Sequence, residues 1–77
     1  MRESVAKFAE HMEIVLKEND YKGGWEGNDC TIEYLNWRLT QEFGEYFANY
    51  EHLSKTQKRD ELVDIANFCM MLWEKHQ

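Results

Sequence analysis

Residues 38–67 read RLTQEFGEYFANYEHLSKTQKRDELVDIAN, and two acidic pairs within this stretch decide how the chain folds and what it can bind. The pairs are Glu42-x-x-Glu45 and Glu61-x-x-Asp64. Residues three apart on a helix lie on one face, one turn above the other, so each pair aims two carboxylates at one point. Should the two helices run antiparallel, four carboxylates can converge. Hard divalent cations such as Mg²⁺ take oxygen ligands of this kind.

Working outward, both pairs sit in helical patterns. On the first side, Leu35, Leu39, Phe43, Tyr46, Phe47 and Tyr50 form an apolar stripe, and the helix is predicted from an N-cap at Asp29 or Thr31 to about Tyr50. Glu42 borders that stripe, where a carboxylate is costly to bury unless paired or bound to metal. Arg38, Glu42, Glu45 and Asn49 line one polar row. Gly44 in mid-helix costs about 1 kcal/mol relative to Ala, so a close helix approach or room for a ligand is expected there.

Glu51-His52-Leu53-Ser54 is a short connection, and Ser54-x-x-Gln57 matches a capping box. A further helix is therefore predicted from Lys55 to about Glu74. Leu62, Ile65, Cys69 and Leu72 form its stripe, flanked by Ala66, Met70 and Trp73. Glu61, Asp64 and Phe68 make the adjacent row, with Asn67 one turn along.

Upstream, Val5, Phe8, Met12, Val15 and Leu16 recur at helical spacing and predict a first helix over residues 3–18. Residues 19–29 form the loop, holding three of the four glycines. Gly23 and Gly24 beside Trp25 suggest a tight bend that places the indole, either as a plug for the small core or as a ligand contact. Short connections make the second and third helices antiparallel neighbours. The fold class is all-α, in a single domain over 1–77.

At 77 residues the chain is near the size at which a core needs help from a metal, a disulfide or a partner. The hydrophobic fraction of 43% is too high for a disordered segment. Three Trp, four Tyr and four Phe leave more apolar surface than three helices hide, so self-association is expected. A helical dimer with four long helices at its centre would bury it. Fifteen acidic against nine basic residues argue against a duplex nucleic acid partner. They do not exclude a phosphorylated small molecule, because bound Mg²⁺ reverses the local charge. Cys30 and Cys69 lack metal-ligand spacing and are expected to be reduced and partly buried. The chain shows no signal peptide and no membrane-spanning run, which predicts a cytoplasmic protein.

From the residues alone, the acids are either a carboxylate metal site, with Trp25, Arg38 and Lys22 as candidate ligand contacts, or a solvated face. The order Glu42-x-x-Glu45, 15 intervening residues, then Glu61-x-x-Asp64 resembles the motif of the MazG family of all-α nucleoside triphosphate pyrophosphohydrolases. Gln41-Glu42-Phe43-Gly44-Glu45 resembles the family's EExxE, with Gln41 in place of the first acid. Residues Glu61 to Phe68 resemble its ExxD helix. Lys22-Gly23-Gly24-Trp25 is similar to the loop before the metal helix in small members, often encoded by phages and mobile elements.

The resemblance implies a three-helix MazG-like domain forming an inter-subunit helical bundle, as a homodimer or a dimer of dimers. It implies Mg²⁺-dependent hydrolysis of nucleoside or deoxynucleoside triphosphates to monophosphate and pyrophosphate, with Mn²⁺ as an alternative ion. Glu42, Glu45, Glu61 and Asp64 would be the metal-binding and catalytic set. Trp25 matches a tryptophan near the base, and Asn67 sits where a polar residue can meet the sugar or a phosphate. Arg38, Lys22 and Lys58 are candidates for phosphate contacts or plain surface charges. Larger members append a further helix beyond the position of Gln77, so part of the pocket is expected from a partner subunit or is open. Two other functions fit the same residues. One is a non-catalytic protein that sequesters a nucleotide or nucleotide signal, as in regulation or phage counter-defence. The other is an interaction protein whose aromatic stripes bind another protein.

Overall fold

Local side-chain chemistry sets the helix ends. Thr31 Oγ1 accepts from the Tyr34 backbone N–H at 3.1 Å, which makes it, and not Asp29, the cap of the second helix. Ser54 and Gln57 form a reciprocal capping box, with bonds of 3.1 and 2.9 Å. Asn19 closes the first helix through its side-chain amide, which donates to the Val15 carbonyl at 2.9 Å. Gly23 takes a φ of +88°, a left-handed conformation that glycine adopts without steric cost.

A computed structural model describes residues 1–20 and 23–77. Those residues are all-helical apart from turns and loop, and no strand occurs among them. The order is α1 (Glu3–Glu18), α2 (Ile32–Asn49), a 3₁₀ turn over Tyr50–His52, and α3 (Lys55–Lys75). The predicted boundaries thus hold within a residue. Lys58 near the start of α3 sits over Tyr50 beyond the end of α2, while Arg38 sits over Phe68 farther along α3. The two helices are therefore antiparallel. α3 also packs against α1, so it is the shared helix of the fold.

Serving two neighbours rotates the buried face of α3 away from a single stripe. Ile65 and Leu72 are buried as predicted, but Leu62 and Cys69 are exposed, and Val63 and Asn67 are buried instead. Asn67 Nδ2 donates to the Met12 carbonyl of α1 at 3.3 Å, marking the side of α3 that α1 covers. Leu35, at 1% exposure, is the most enclosed side chain, completing an apolar core with Val63, Ile65 and Leu72.

Much of the predicted apolar surface lies outside this core. α1 buries no residue fully, and its Val5 and Phe8 stay substantially exposed. Phe43 and Phe47 on α2, and Tyr50 in the turn after it, are exposed although they belong to the predicted stripe. They stack among themselves: Phe43 and Phe47 have ring centroids 6.0 Å apart, and Tyr46 meets Tyr50 edge-on at 5.5 Å. Among the described residues, a Cβ added to Gly44 would meet nothing within 4 Å, so no neighbouring helix there explains that glycine. No helix among the described residues is long and apolar enough to cross a membrane.

These placements predict opposite outcomes for two substitutions. Gly44→Ala should raise stability by about 1 kcal/mol, because the site is open and helical. Leu35→Ala should lower it by about 2–5 kcal/mol. Urea midpoints compared with the parent chain check both.

Candidate metal centre

Glu42 lies seven residues, or two turns, after Leu35 and therefore on the same inward side of α2. It is 8% exposed. A carboxylate buried this deeply needs a compensating partner. One is Arg38, whose Nη2 donates to Glu42 Oε1 at 3.2 Å. Arg38 Nη1 also donates to Gln41 Oε1 at 2.8 Å, and the guanidinium lies 5.3 Å from the centroid of the Phe68 ring on α3. The row of Glu61, Asp64 and Phe68 thus faces the row of Arg38, Glu42 and Glu45 across the helix seam.

Glu42, Glu45 and Glu61 each offer a carboxylate oxygen, and the three atoms lie within 4.8 Å of one another. Oxygens on opposite sides of a hard cation are about 4–5 Å apart, since each ligand distance is about 2.0–2.6 Å. The spacing fits one shared ion. Glu61 Oε2 is buried and has no hydrogen-bond partner among the described residues. An orphaned carboxylate oxygen next to two further carboxylates is a place that a cation or a proton completes.

The electrostatics follow from the crowding. Burial, then the charge of Glu42 and a hydrogen bond with it, raises the Glu61 carboxyl above its ordinary 4.5, with Asp64 and Glu45 adding to the effect. Asp64 is raised above 3.8 by burial, Glu42, Asp60 and Glu45, against an opposing pull from Arg38. Asp64 stands outside the trio whose oxygens lie within 4.8 Å. Three of the four predicted carboxylates converge, and the fourth is an electrostatic neighbour.

The other predicted contacts are dispersed. Asn67 is 4% exposed and faces α1, and its Oδ1 has no hydrogen-bond partner among the described residues. The Lys58 ammonium lies 4.0 Å from the centroid of the Tyr50 ring. Trp25 is partly buried, its Nε1 donating to Glu74 Oε2 at 3.3 Å. Glu74 lies ten residues past Asp64, about 15 Å along the helix axis, so Trp25 is set away from the glutamates. Lys22 is outside the described residues. Gln41 and Phe68, which hold Arg38, were not singled out as site residues. Gln41 follows Arg38 at i+3, which could have suggested the pair, whereas the Phe68 contact depends on helix register.

The raised carboxyls make stability fall with pH. Between the ordinary and the raised pKa of Glu61 and Asp64, the folded chain holds more protons than the unfolded one, so the slope of unfolding free energy against pH is negative. Without divalent ions the melting temperature should drop as pH rises through that window. Mg²⁺ or Mn²⁺ should oppose the drop, because it binds the ionised form. Glu61→Gln should flatten it. Thermal melts at stepped pH, in EDTA and in divalent salt, check all three.

No protein-family model matches the chain, and no solved structure matches it significantly. A protein of Archaeoglobus fulgidus, described as uncharacterized, is 37% identical over 67 residues, which cover 87% of this chain and 70% of the relative. The aligned portion spans most of both proteins, and the chain belongs to the same family as that archaeal protein.

Proposed function

We propose that the protein hydrolyses nucleoside or deoxynucleoside triphosphates to the monophosphate and pyrophosphate, using Mg²⁺ or Mn²⁺ held by Glu42, Glu45 and Glu61 with Asp64 beside them. The convergence of three glutamate oxygens within 4.8 Å at the seam of α2 and α3 carries this reading. The spacing that resembles the MazG motif supports it from the sequence. When bound, the ion supplies charge neutralisation for the phosphate oxygens and a more acidic water nucleophile.

The chain's own groups divide the remaining work. Glu42 and Glu45 come from α2 and Glu61 from α3, so the helix pair fixes the ligand oxygens relative to each other. Asp64, an electrostatic neighbour outside the trio, would accept the proton of the attacking water. Water oxygen bonds to the α-phosphorus, the bond from that phosphorus to the α,β-bridging oxygen breaks, and pyrophosphate departs. Two free cysteines fit a reducing, cytoplasmic setting.

The same proposal includes a second copy of the chain, as a homodimer or a dimer of dimers. Lys58 lies over Tyr50, so the α3 flank bearing Lys58, and Leu62 one turn on, adjoins the turn after α2 that bears Tyr50. Phe47 on α2, Tyr50 in the turn after it, and Leu62, Cys69 and Trp73 on α3 are all exposed and uncharged. A surface with this many exposed apolar side chains, on a chain of net charge −6, suits a like-charged partner.

Product analysis tests the activity. A panel of common and modified triphosphates with Mg²⁺ should yield monophosphate and pyrophosphate, and EDTA should stop the reaction. Glu42→Gln should lower turnover more than about 100-fold, beyond the usual loss for an outer-shell partner, while helicity is kept. Intact nucleotide that binds tightly would favour the sequestering protein instead. Sedimentation tests the assembly: the parent chain should run as a dimer or larger, and Phe47→Glu with Trp73→Glu should run as a monomer.

A further inference from the structure

Two ion pairs occur among the described residues. Lys7 with Glu3 is a solvent-exposed pair on α1, whereas Arg38 with Glu42 is set into the carboxylate cluster, its two side chains 31% and 10% exposed. Three separate contacts hold the guanidinium there. It donates to Glu42 Oε1, donates to Gln41 Oε1, and stacks over Phe68. Gln41 is neutral, so it satisfies an N–H group without cancelling the charge. The positive charge stays directed at the glutamates.

We propose that Arg38 is the resident counter-cation of the site: it stabilises the metal-free cluster and, held in place by Gln41 and Phe68, weakens the binding of a divalent ion. This rests on the metal-site proposal above. Two effects oppose each other when Arg38 is removed. Repulsion between the guanidinium and the ion disappears, which tightens binding. A hydrogen bond orienting Glu42 also disappears, which loosens it. Burial of Glu42 at 8% exposure decides between them, because packing keeps the carboxylate oriented without the arginine. By Coulomb's law a unit charge roughly 6 Å from a divalent ion in the dielectric of water would change affinity about tenfold. The repulsion therefore dominates. The consequence for function is a site that exchanges its ion readily and does not lock it in.

Mn²⁺ titration by calorimetry, paired with thermal melts in EDTA, tests the assignment. Arg38→Met keeps the aliphatic stem against Phe68, and Arg38→Gln keeps a hydrogen-bond donor; both remove the charge. Each should bind Mn²⁺ about tenfold more tightly than the parent and melt lower in EDTA. Arg38→Lys should stay near the parent in both. A merely structural arginine would give weaker Mn²⁺ binding in the neutral variants, and that result, or unchanged affinity, overturns the proposal. A parent chain that takes up no Mn²⁺ would remove the metal site itself, an outcome distinct from a parent that binds and variants that fail to tighten.

Discussion

Three carboxylates held within 4.8 Å at one helix seam are the constraint on which the rest of the structure turns. Like charges at that separation in partly buried surroundings repel, and folding must supply a proton, a cation or both to offset them. The chain supplies part of the answer itself. Glu61 is pushed toward its protonated form, and Arg38 neutralises Glu42. Neither contact extends to all the oxygens, and Glu61 Oε2 stays without a partner among the described residues. A helix pair arranged this way is poised to take a hard cation.

The scaffold that bears this strain is small. Among the described residues, Leu35, Val63, Ile65 and Leu72 are the buried apolar ones, and all lie on α2 or α3. α1 adds a partial cover to α3, tied by the bond between Asn67 and the Met12 carbonyl. Much of the aromatic surface is left on the outside, including Trp37, Trp73 and the flank that bears Phe43, Phe47 and Tyr50. A core this thin gains stability from any partner that covers the flank and from any ion that relieves the glutamates. Assembly and metal binding are in this sense two answers to one shortage of burial.

How much was legible in the sequence differs between the fold and the site, for physical reasons. Helix ends were readable because capping is local: Ser54 and Gln57, or Thr31 and Tyr34, are a few residues apart. Convergence of Glu42, Glu45 and Glu61 was readable because i, i+3 spacing and a short antiparallel connection leave few other arrangements. Which side of α3 is buried was not. A helix with two neighbours has two inward faces, so Leu62 and Cys69 share periodicity with Ile65 and Leu72 yet point outward. Trp25 was equally opaque, since its contact with Glu74 joins residues 49 apart and depends on how the loop returns to α3. Arg38 was placed in the correct row, but its hold on Gln41 and Phe68 needs side-chain geometry that spacing does not carry.

Glu42, Glu45 and Glu61 are proposed to share one divalent cation. Anomalous diffraction from crystals soaked in Mn²⁺ tests it most directly. A single strong peak is expected between these three carboxylates, within about 2.0–2.6 Å of an oxygen from each. Clear density for the three glutamates with no peak between them, or a peak held by other residues, would contradict it.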